Sequence, residues 1–268
     1  MQNIAKALRN PALGMEYIGW RLRSLAGPVT FSLRNGARIG NFVNFSEYHS
    51  MRVCISAAEQ NFFLTRTPKD DSPIIDIGAN IGIVSALLGR EFPERTIHAF
   101  EPGPTTFEAL GKNLALNGLE RVVAHRVALA DKPGTLVFDA PPKRRANAKI
   151  ATAASLHPVK VEATTLDAFI AEQGITAIGL LKIDVEGYET AVFRGAARML
   201  EKRLPGVIFM EVCPPLARLA GFDPAEPARL VEDAGYAWHR LEETGALTPV
   251  SSADTAPIVL ENWVALQR

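Results

Sequence analysis

From Ile74 onward the chain alternates short apolar runs with stretches of helical spacing. Ile74-Ile75-Asp76-Ile77 is a compact apolar run closed by Gly78, and a helix is expected from Ile81 to Arg90. Thr96 to Phe100 forms a second run, followed by a helix from Thr105 to Asn117 that Gly118 stops. Val122 to Leu129 is a third run, and Gly134 to Phe138 an added strand. Ile178 to Ile183 is a fourth parallel strand, leading into a helix from Tyr188 to Leu200. Val207 to Val212 is a fifth, Ala225 to Ala234 is helical, and Tyr236 to Leu241 and Trp263 to Gln267 close the chain as strands. Such alternation predicts right-handed βαβ units and a largely parallel sheet.

The first seventy or so residues follow another pattern. Ile4 to Leu25 reads as helical pieces with a basic face, Phe31 to Phe45 as a short strand or hairpin, and Glu47 to Leu64 as one helix. Thr67-Pro68-Lys69-Asp70-Asp71-Ser72-Pro73 is polar and flanked by prolines. A boundary is placed there, giving an accessory, substrate-capping segment over residues 1–71 and a catalytic domain over 72–268.

Composition narrows the class. The 268 residues carry a net charge of +0, so nothing global points to a nucleic-acid partner. Cys54 and Cys213 lack CxxC spacing, which argues against a disulfide framework or zinc site and fits a reducing compartment. No apolar run approaches the ~18 residues of a transmembrane helix, and no signal-peptide core follows the N-terminal basic residues. A soluble, cytoplasmic protein is expected. The basic balance of the first 38 residues allows weak peripheral contact with an anionic membrane. Residues 141–160 hold Lys143, Arg144, Arg145, Lys149 and Lys160 without an acid. They read either as a solvated loop or as a lid attracting an anionic or carrier-linked acceptor.

Ligands of open α/β sheets bind beyond the carboxyl ends of the strands, near the reversal in strand order. The residues there are Asp76, Glu101, Asp131, Asp184 and Glu211, an acidic rim suited to a ligand with positive charge or many hydroxyls. The first turn, Asp76-Ile77-Gly78-Ala79-Asn80-Ile81-Gly82, has glycines for a tight turn but is not G-x-G-x-x-G. A carboxylate before such a turn repels phosphate and suits an ammonium or sulfonium; S-adenosylmethionine (SAM) has both. In Phe100-Glu101-Pro102 the acid is spaced to accept from two ribose hydroxyls. In Ala128-Leu129-Ala130-Asp131 an acid follows apolar neighbours, either to take an adenine amino group or simply to make a turn. Lys182 stands inside a central strand and needs a carboxylate partner, Asp76, Asp184 or Glu211.

These motifs together resemble the FkbM-type methyltransferases: Ile75 to Gly82, Phe100-Glu101-Pro102-Gly103-Pro104, Asn113 to Asn117, Thr165-Leu166-Asp167 and Lys182-Ile183-Asp184-Val185-Glu186-Gly187. The resemblance covers roughly Pro73 to Leu200. It implies a Rossmann-like, seven-stranded, mostly parallel doubly wound sheet of the class I methyltransferase type, preceded by the accessory segment. It further implies SAM as methyl donor and a hydroxyl acceptor on a sugar, glycan or other small molecule. Family cofactor positions fall on Asp76, Gly78, Asn80 and Glu101, with Ala79, Gly82, Pro102, Ala130, Asp131 and Asp184 beside them. The Lys-Ile-Asp-x-Glu-Gly signature falls on Lys182, Asp184, Glu186 and Gly187.

The acceptor hydroxyl must lose a proton, and Asp184, Glu186 and Glu211 are the candidates, with Lys182 alongside and His49 from the accessory segment. The same three acids are an alternative seat for a divalent cation such as magnesium, the less favoured reading; no metal ligand is assigned. His98, His125 and His157 read as bland, His157 least so. N-methylation, a nicotinamide-dependent oxidoreductase, a nucleic-acid base methyltransferase and a non-catalytic SAM-binding protein remain as rivals, as does a homo-oligomer.

Overall fold

The computed structural model describes residues 11–139, the backbone of 149–150, and residues 156–268. A helix α1 (Pro11–Ala26) precedes the hairpin β1 (Phe31–Ser32) and β2 (Arg38–Ile39), and helices α2 (Phe45–Val53) and α3 (Ala57–Arg66). The single helix expected over 47–64 is therefore two. Ser56 ends the continuity by capping α3, accepting from Glu59 N while the Glu59 carboxylate accepts from Ser56 N.

The repeating part begins with β3 (Ile74–Ile77), α4 (Ile83–Glu91), β4 (Ile97–Phe100), α5 (Pro104–Asn117) and β5 (Val122–His125). It continues through β6 (Ala128–Leu129), β7 (Gly134–Asp139), β8 (Lys149–Ile150), β9 (Pro158–Thr164), α6 (Leu166–Gln173) and β10 (Ile178–Ile183). Helices α7 (Glu189–Arg194) and α8 (Ala197–Glu201) lead to β11 (Pro205–Val212), then α9 (Pro214–Leu219), α10 (Glu226–Asp233), β12 (Tyr236–Leu241), β13 (Leu247–Val250) and β14 (Glu261–Gln267).

The main sheet has the order β13-β12-β14-β11-β10-β3-β4-β5. Strands β11, β10, β3, β4 and β5 run parallel, and β14, β12 and β13 add antiparallel partners. This is the expected Rossmann-like sheet of the class I methyltransferase type, with an eighth strand because β12 turns back as a hairpin. Strands β3 and β10 are buried at every position, as strands covered on both faces must be. Strand order reverses between them.

Two further departures matter for the site. The third expected strand is split: β5 joins the main sheet, whereas β6 pairs with β9 in a second sheet of order β6-β9-β7-β8. The helix expected over 188–200 breaks at Gly195, where a Cβ would overlap the carbonyl oxygen of Ala130. The basic stretch 141–160 ends in β9; residues 140–148 and 151–155 lie outside the described residues.

One hydrophobic cluster unites Leu33, Ile39, Phe62 and Phe63 with Ile74, Leu87 and Phe209, so the β1–β2 hairpin and α3 pack on one face of the sheet. The polar linker is tied down as well, because Arg95 donates to the carbonyl oxygens of Pro68 and Ser72.

Candidate active site

The turn after β3 is shaped by how closely it meets the loop after β10. Gly78 has φ +75, and a Cβ on it would overlap the Asp184 carbonyl oxygen. Asp184 N donates to Ile77 O at 3.1 Å, locking the two strand ends together. Asn80 has φ 52, a left-handed value that asparagine tolerates, and its Oδ1 accepts from Ile81 N at 2.8 Å. Gly82, at φ 90, starts α4 against Leu110. Gly78→Ala is expected to part the two loops, because the clash is with backbone and no rotamer relieves it. Left-handed strain alone costs about 1–3 kcal/mol. Thermal unfolding should show the loss, and a variant as stable as the parent would contradict the geometry.

Glu101 is buried at the end of β4. Its Oε2 accepts from Asn80 N at 3.1 Å and its Oε1 from Gly103 N at 2.8 Å. Burial pushes its carboxyl up to about 7 against the pull of those two backbone donors. A carboxylate has about four acceptor sites, so two remain for a ligand. The cleft in front of it, about 700 Å³ including solvent-open space, is lined by Gly78, Asn80, Pro102, Asp184 and Glu186. Its apolar wall is Val127, Ala128, Leu129, Leu136 and Phe138, with Thr106 and Tyr188 completing the rim.

Ala128 and Leu129 stand in that wall as expected, but Ala130 and Asp131 do not. Asp131 is exposed and lines a separate depression beside Thr165 and Arg194. Ala130 is buried, its N–H donating to Thr164 O. Since the chain leaves the main sheet after His125, residues 127–129 reach the cleft and Ala130 and Asp131 have already passed it. Leu136 and Phe138 come from β7 of the second sheet, which the strand pattern did not place over the site.

Lys182 is buried and compensated. Its Nζ lies 3.3 Å from Asp76 Oδ1 and 3.5 Å from Asp184 Oδ2, and donates to Gly78 O at 2.9 Å. Burial alone would lower its pKa; Asp76 and then Asp184 outweigh that and hold it above the ordinary lysine value. Asp76 is fully buried, accepts from Ser85 Oγ at 2.6 Å, and lines neither cavity. The expected ligand contact at Asp76 is thus an internal anchor. Gly82 is likewise internal.

A second, wider cavity, about 1710 Å³ with its open mouth, shares Gly78, Asn80, Asp184 and Glu186 with the first. Lys182, Ala79, Glu211 and Asn262 also line it, and α2 and α3 close it with Ser46, Glu47, Ser50, Cys54 and Glu59. Those helical residues gave no sequence signal, since each is an ordinary polar residue on an amphipathic helix. His49 does not join them. Its Nδ1 sits 2.9 Å from Glu16 Oε2 and its ring packs on Phe45, away from the cavity. His98 and His125 bond to each other at 3.1 Å, and His157 borders Asp139. Among the described residues, no three His, Cys, Asp or Glu side chains converge as a metal-binding group.

Burial raises several of these acids. Glu211 is pushed up to about 9 by desolvation and then by Asp184 and Glu186, and Glu189 to about 7 by desolvation. Glu189 nonetheless holds the loop, its Oε1 accepting from Val185 N and Gly187 N. A carboxyl raised on folding keeps protons that the unfolded chain releases, so its contribution to stability declines as pH rises toward the folded value. Between pH 7 and 9 the ligand-free protein should therefore lose stability, and Glu211→Gln should flatten that slope. Denaturant titrations across this range test it; a rising curve would refute the assignment.

The geometry is that of a Rossmann-like sheet with a buried acid at the end of β4 and an acid-lined second cavity beyond the strand ends. Residues 76–237, more than half of the chain, match the Methyltransferase FkbM domain, and the chain belongs to that family. It is 32% identical over 146 residues to Methyltransferase 1 of Beauveria bassiana, covering 47% of this chain and 59% of that protein. It is 32% identical over 155 residues to the 31-O-demethyl-FK506 methyltransferase FkbM of Streptomyces tacrolimicus, covering 46% and 58%. The hexuronic acid methyltransferase AglP of Haloferax volcanii is 24% identical over 172 residues, covering 64% and 66%. The chain thus spans under three-fifths of the length of the first two relatives.

Proposed function

We propose that this chain transfers a methyl group from SAM to a hydroxyl of a sugar, glycan or other small polyhydroxy molecule. The observation that carries the reading is the meeting of two cavities at Gly78, Asn80, Asp184 and Glu186, one holding Glu101 and an apolar wall, the other lined by acids. The residues fit SAM on structural grounds: Glu101 keeps acceptor capacity at the cleft, and Val127, Leu129, Leu136 and Phe138 give it an apolar wall. When bound, SAM supplies an electrophilic methyl group on a sulfonium.

The chain's own residues do the rest. Glu101 accepts from the ribose hydroxyls, and Val127, Leu129, Leu136 and Phe138 cover the base. Asp184, common to both cavities, takes the proton of the acceptor hydroxyl, while Lys182 holds its carboxylate in place. Lys182 already supplies the positive charge at this point, so the reading does not call on a divalent cation. Residues 1–71 serve as the acceptor cap through α2 and α3. Glu47, Glu59 and Glu186 around the cavity favour a neutral acceptor over an anionic one. The O-directed names of two relatives, a 31-O-demethyl-FK506 methyltransferase and the 2-O-methyltransferase NoeI, point the same way.

Calorimetry with SAM tests the cofactor half. Glu101→Gln should weaken affinity at least ~10-fold, in line with about 1.5–3 kcal/mol for a hydrogen bond to a charged group. Because the carboxyl titrates at about 7, parent affinity should also fall between pH 8 and 6, whereas the variant's should not. Unchanged affinity in Glu101→Gln would remove the ribose assignment.

A further inference from the structure

Helix α1 turns one face inward and leaves the other bare. Inward, Tyr17 and Trp20 pack on Phe45 with ring centroids at 5.1 and 5.8 Å, and Glu16 reaches His49 and Arg52 on α2. Outward, Met15, Ile18, Leu22 and Leu25 recur at helical spacing and are 70%, 58%, 63% and 77% exposed. Four large apolar side chains in one stripe are not scattered surface residues, and such stripes mark interaction faces.

We propose that this face of α1 lies in the headgroup region of an anionic lipid membrane. Charge selects the occupant. Helix α1 itself carries Arg21 and Arg23 and one acid, Glu16, which is already bound to His49 and Arg52. Arg21 is exposed beside the apolar stripe. An amphipathic helix with apolar residues on one side and arginines beside them is the form that settles at a membrane interface. No helix of the described residues is long and apolar enough to cross a membrane, so the contact is peripheral.

Area argues against a second copy of the chain as the occupant. The stripe is four side chains on a helix about 24 Å long, far fewer than the roughly 20–30 residues a side of a standard interface. Stable protein interfaces need about 800 Å² per partner. Helix α1 lies on the Phe45 and His49 side of α2, while Ser46, Glu47, Ser50 and Met51 on the other side of α2 line the second cavity. The membrane contact itself does not depend on the methyl-transfer reading.

The test is co-sedimentation of the full chain with vesicles of phosphatidylcholine alone or mixed with phosphatidylglycerol, with light scattering of the same samples without lipid. The chain should sediment with the phosphatidylglycerol vesicles, stay in solution with phosphatidylcholine alone, and be released by high salt. Ile18→Gln combined with Leu22→Gln should lower the bound-to-free ratio at least ~10-fold, while thermal unfolding stays as in the parent because both side chains are exposed. Arg21→Glu should weaken binding several-fold. Equal binding by parent and double variant, no binding to either vesicle, or a parent dimer that the double variant dissociates would each overturn the proposal.

Discussion

Asp184→Asn is expected to lower methyl transfer by about 10²–10⁴-fold, the range a positioned general base supplies. Asparagine keeps the shape and the hydrogen-bonding reach of the side chain but cannot hold the acceptor's proton. Asp184 and Glu186 border both cavities and Glu211 the second alone, and Asp184 is the fitting group because it stands at the end of β10 beside Lys182. Glu211 also carries a carboxyl raised to about 9, so at neutral pH it is mostly protonated and unsuited to accept a proton. The ion pair with Lys182 at 3.5 Å keeps Asp184 in position. Single-turnover measurements with labelled SAM and a panel of neutral glycans should show the loss in the transfer step, with SAM affinity changed only a few-fold. Glu211→Gln should leave most of the transfer rate. If Glu211→Gln abolished transfer and Asp184→Asn did not, the two roles would be exchanged.

The sheet was readable because its central strands are unbroken apolar runs ended by acids and glycine. Ile74–Ile77 and Ile178–Ile183 fall where the pattern puts them, while Gly78, read as making room for a ligand, makes room for the Asp184 carbonyl. Lys182 announced its need for a carboxylate, and both Asp76 and Asp184 meet it. What escaped the pattern is whatever depends on contacts between distant segments. Asp76 has the same signature whether it faces a ligand or a lysine; only the packing of β10 beside β3 decides, and it turns the carboxylate inward. Val122 to Leu129 looks continuous in sequence, yet its last residues leave for another sheet, so the apolar wall is residues 127–129 and stops short of Ala130 and Asp131. Glu59 and Cys54 became part of the second cavity because α3 starts at a capped Ser56, a local event that sets where a helix from the accessory segment meets the sheet edge. His49 shows the reverse: a side chain of suggestive chemistry whose partner, Glu16, lies on a neighbouring helix outside the cavity.

Lys182 and Asp76 should behave as one unit in stability and as two in binding. Lys182→Met leaves the Asp76 carboxylate, fully buried, with only the Ser85 hydroxyl as a short partner. Asp76→Leu leaves the Lys182 ammonium facing Asp184 and two backbone carbonyls. Breaking a buried pair from one side typically costs about 3–5 kcal/mol, while replacing both members with apolar groups of similar volume is often neutral. Each single variant is therefore expected to lose about that much in denaturant unfolding, and the double variant much less than the sum, a coupling a double-mutant cycle reads directly. Cofactor binding should not recover with stability. The double variant still lacks the donor to Gly78 O and the cation beside Asp184, so the turn that both cavities share loses its fixed geometry. Additive stability losses would mean that the 3.3 Å approach of Lys182 to Asp76 carries no net interaction. Recovery of SAM affinity in the double variant would mean that the turn is held by its glycine contacts alone.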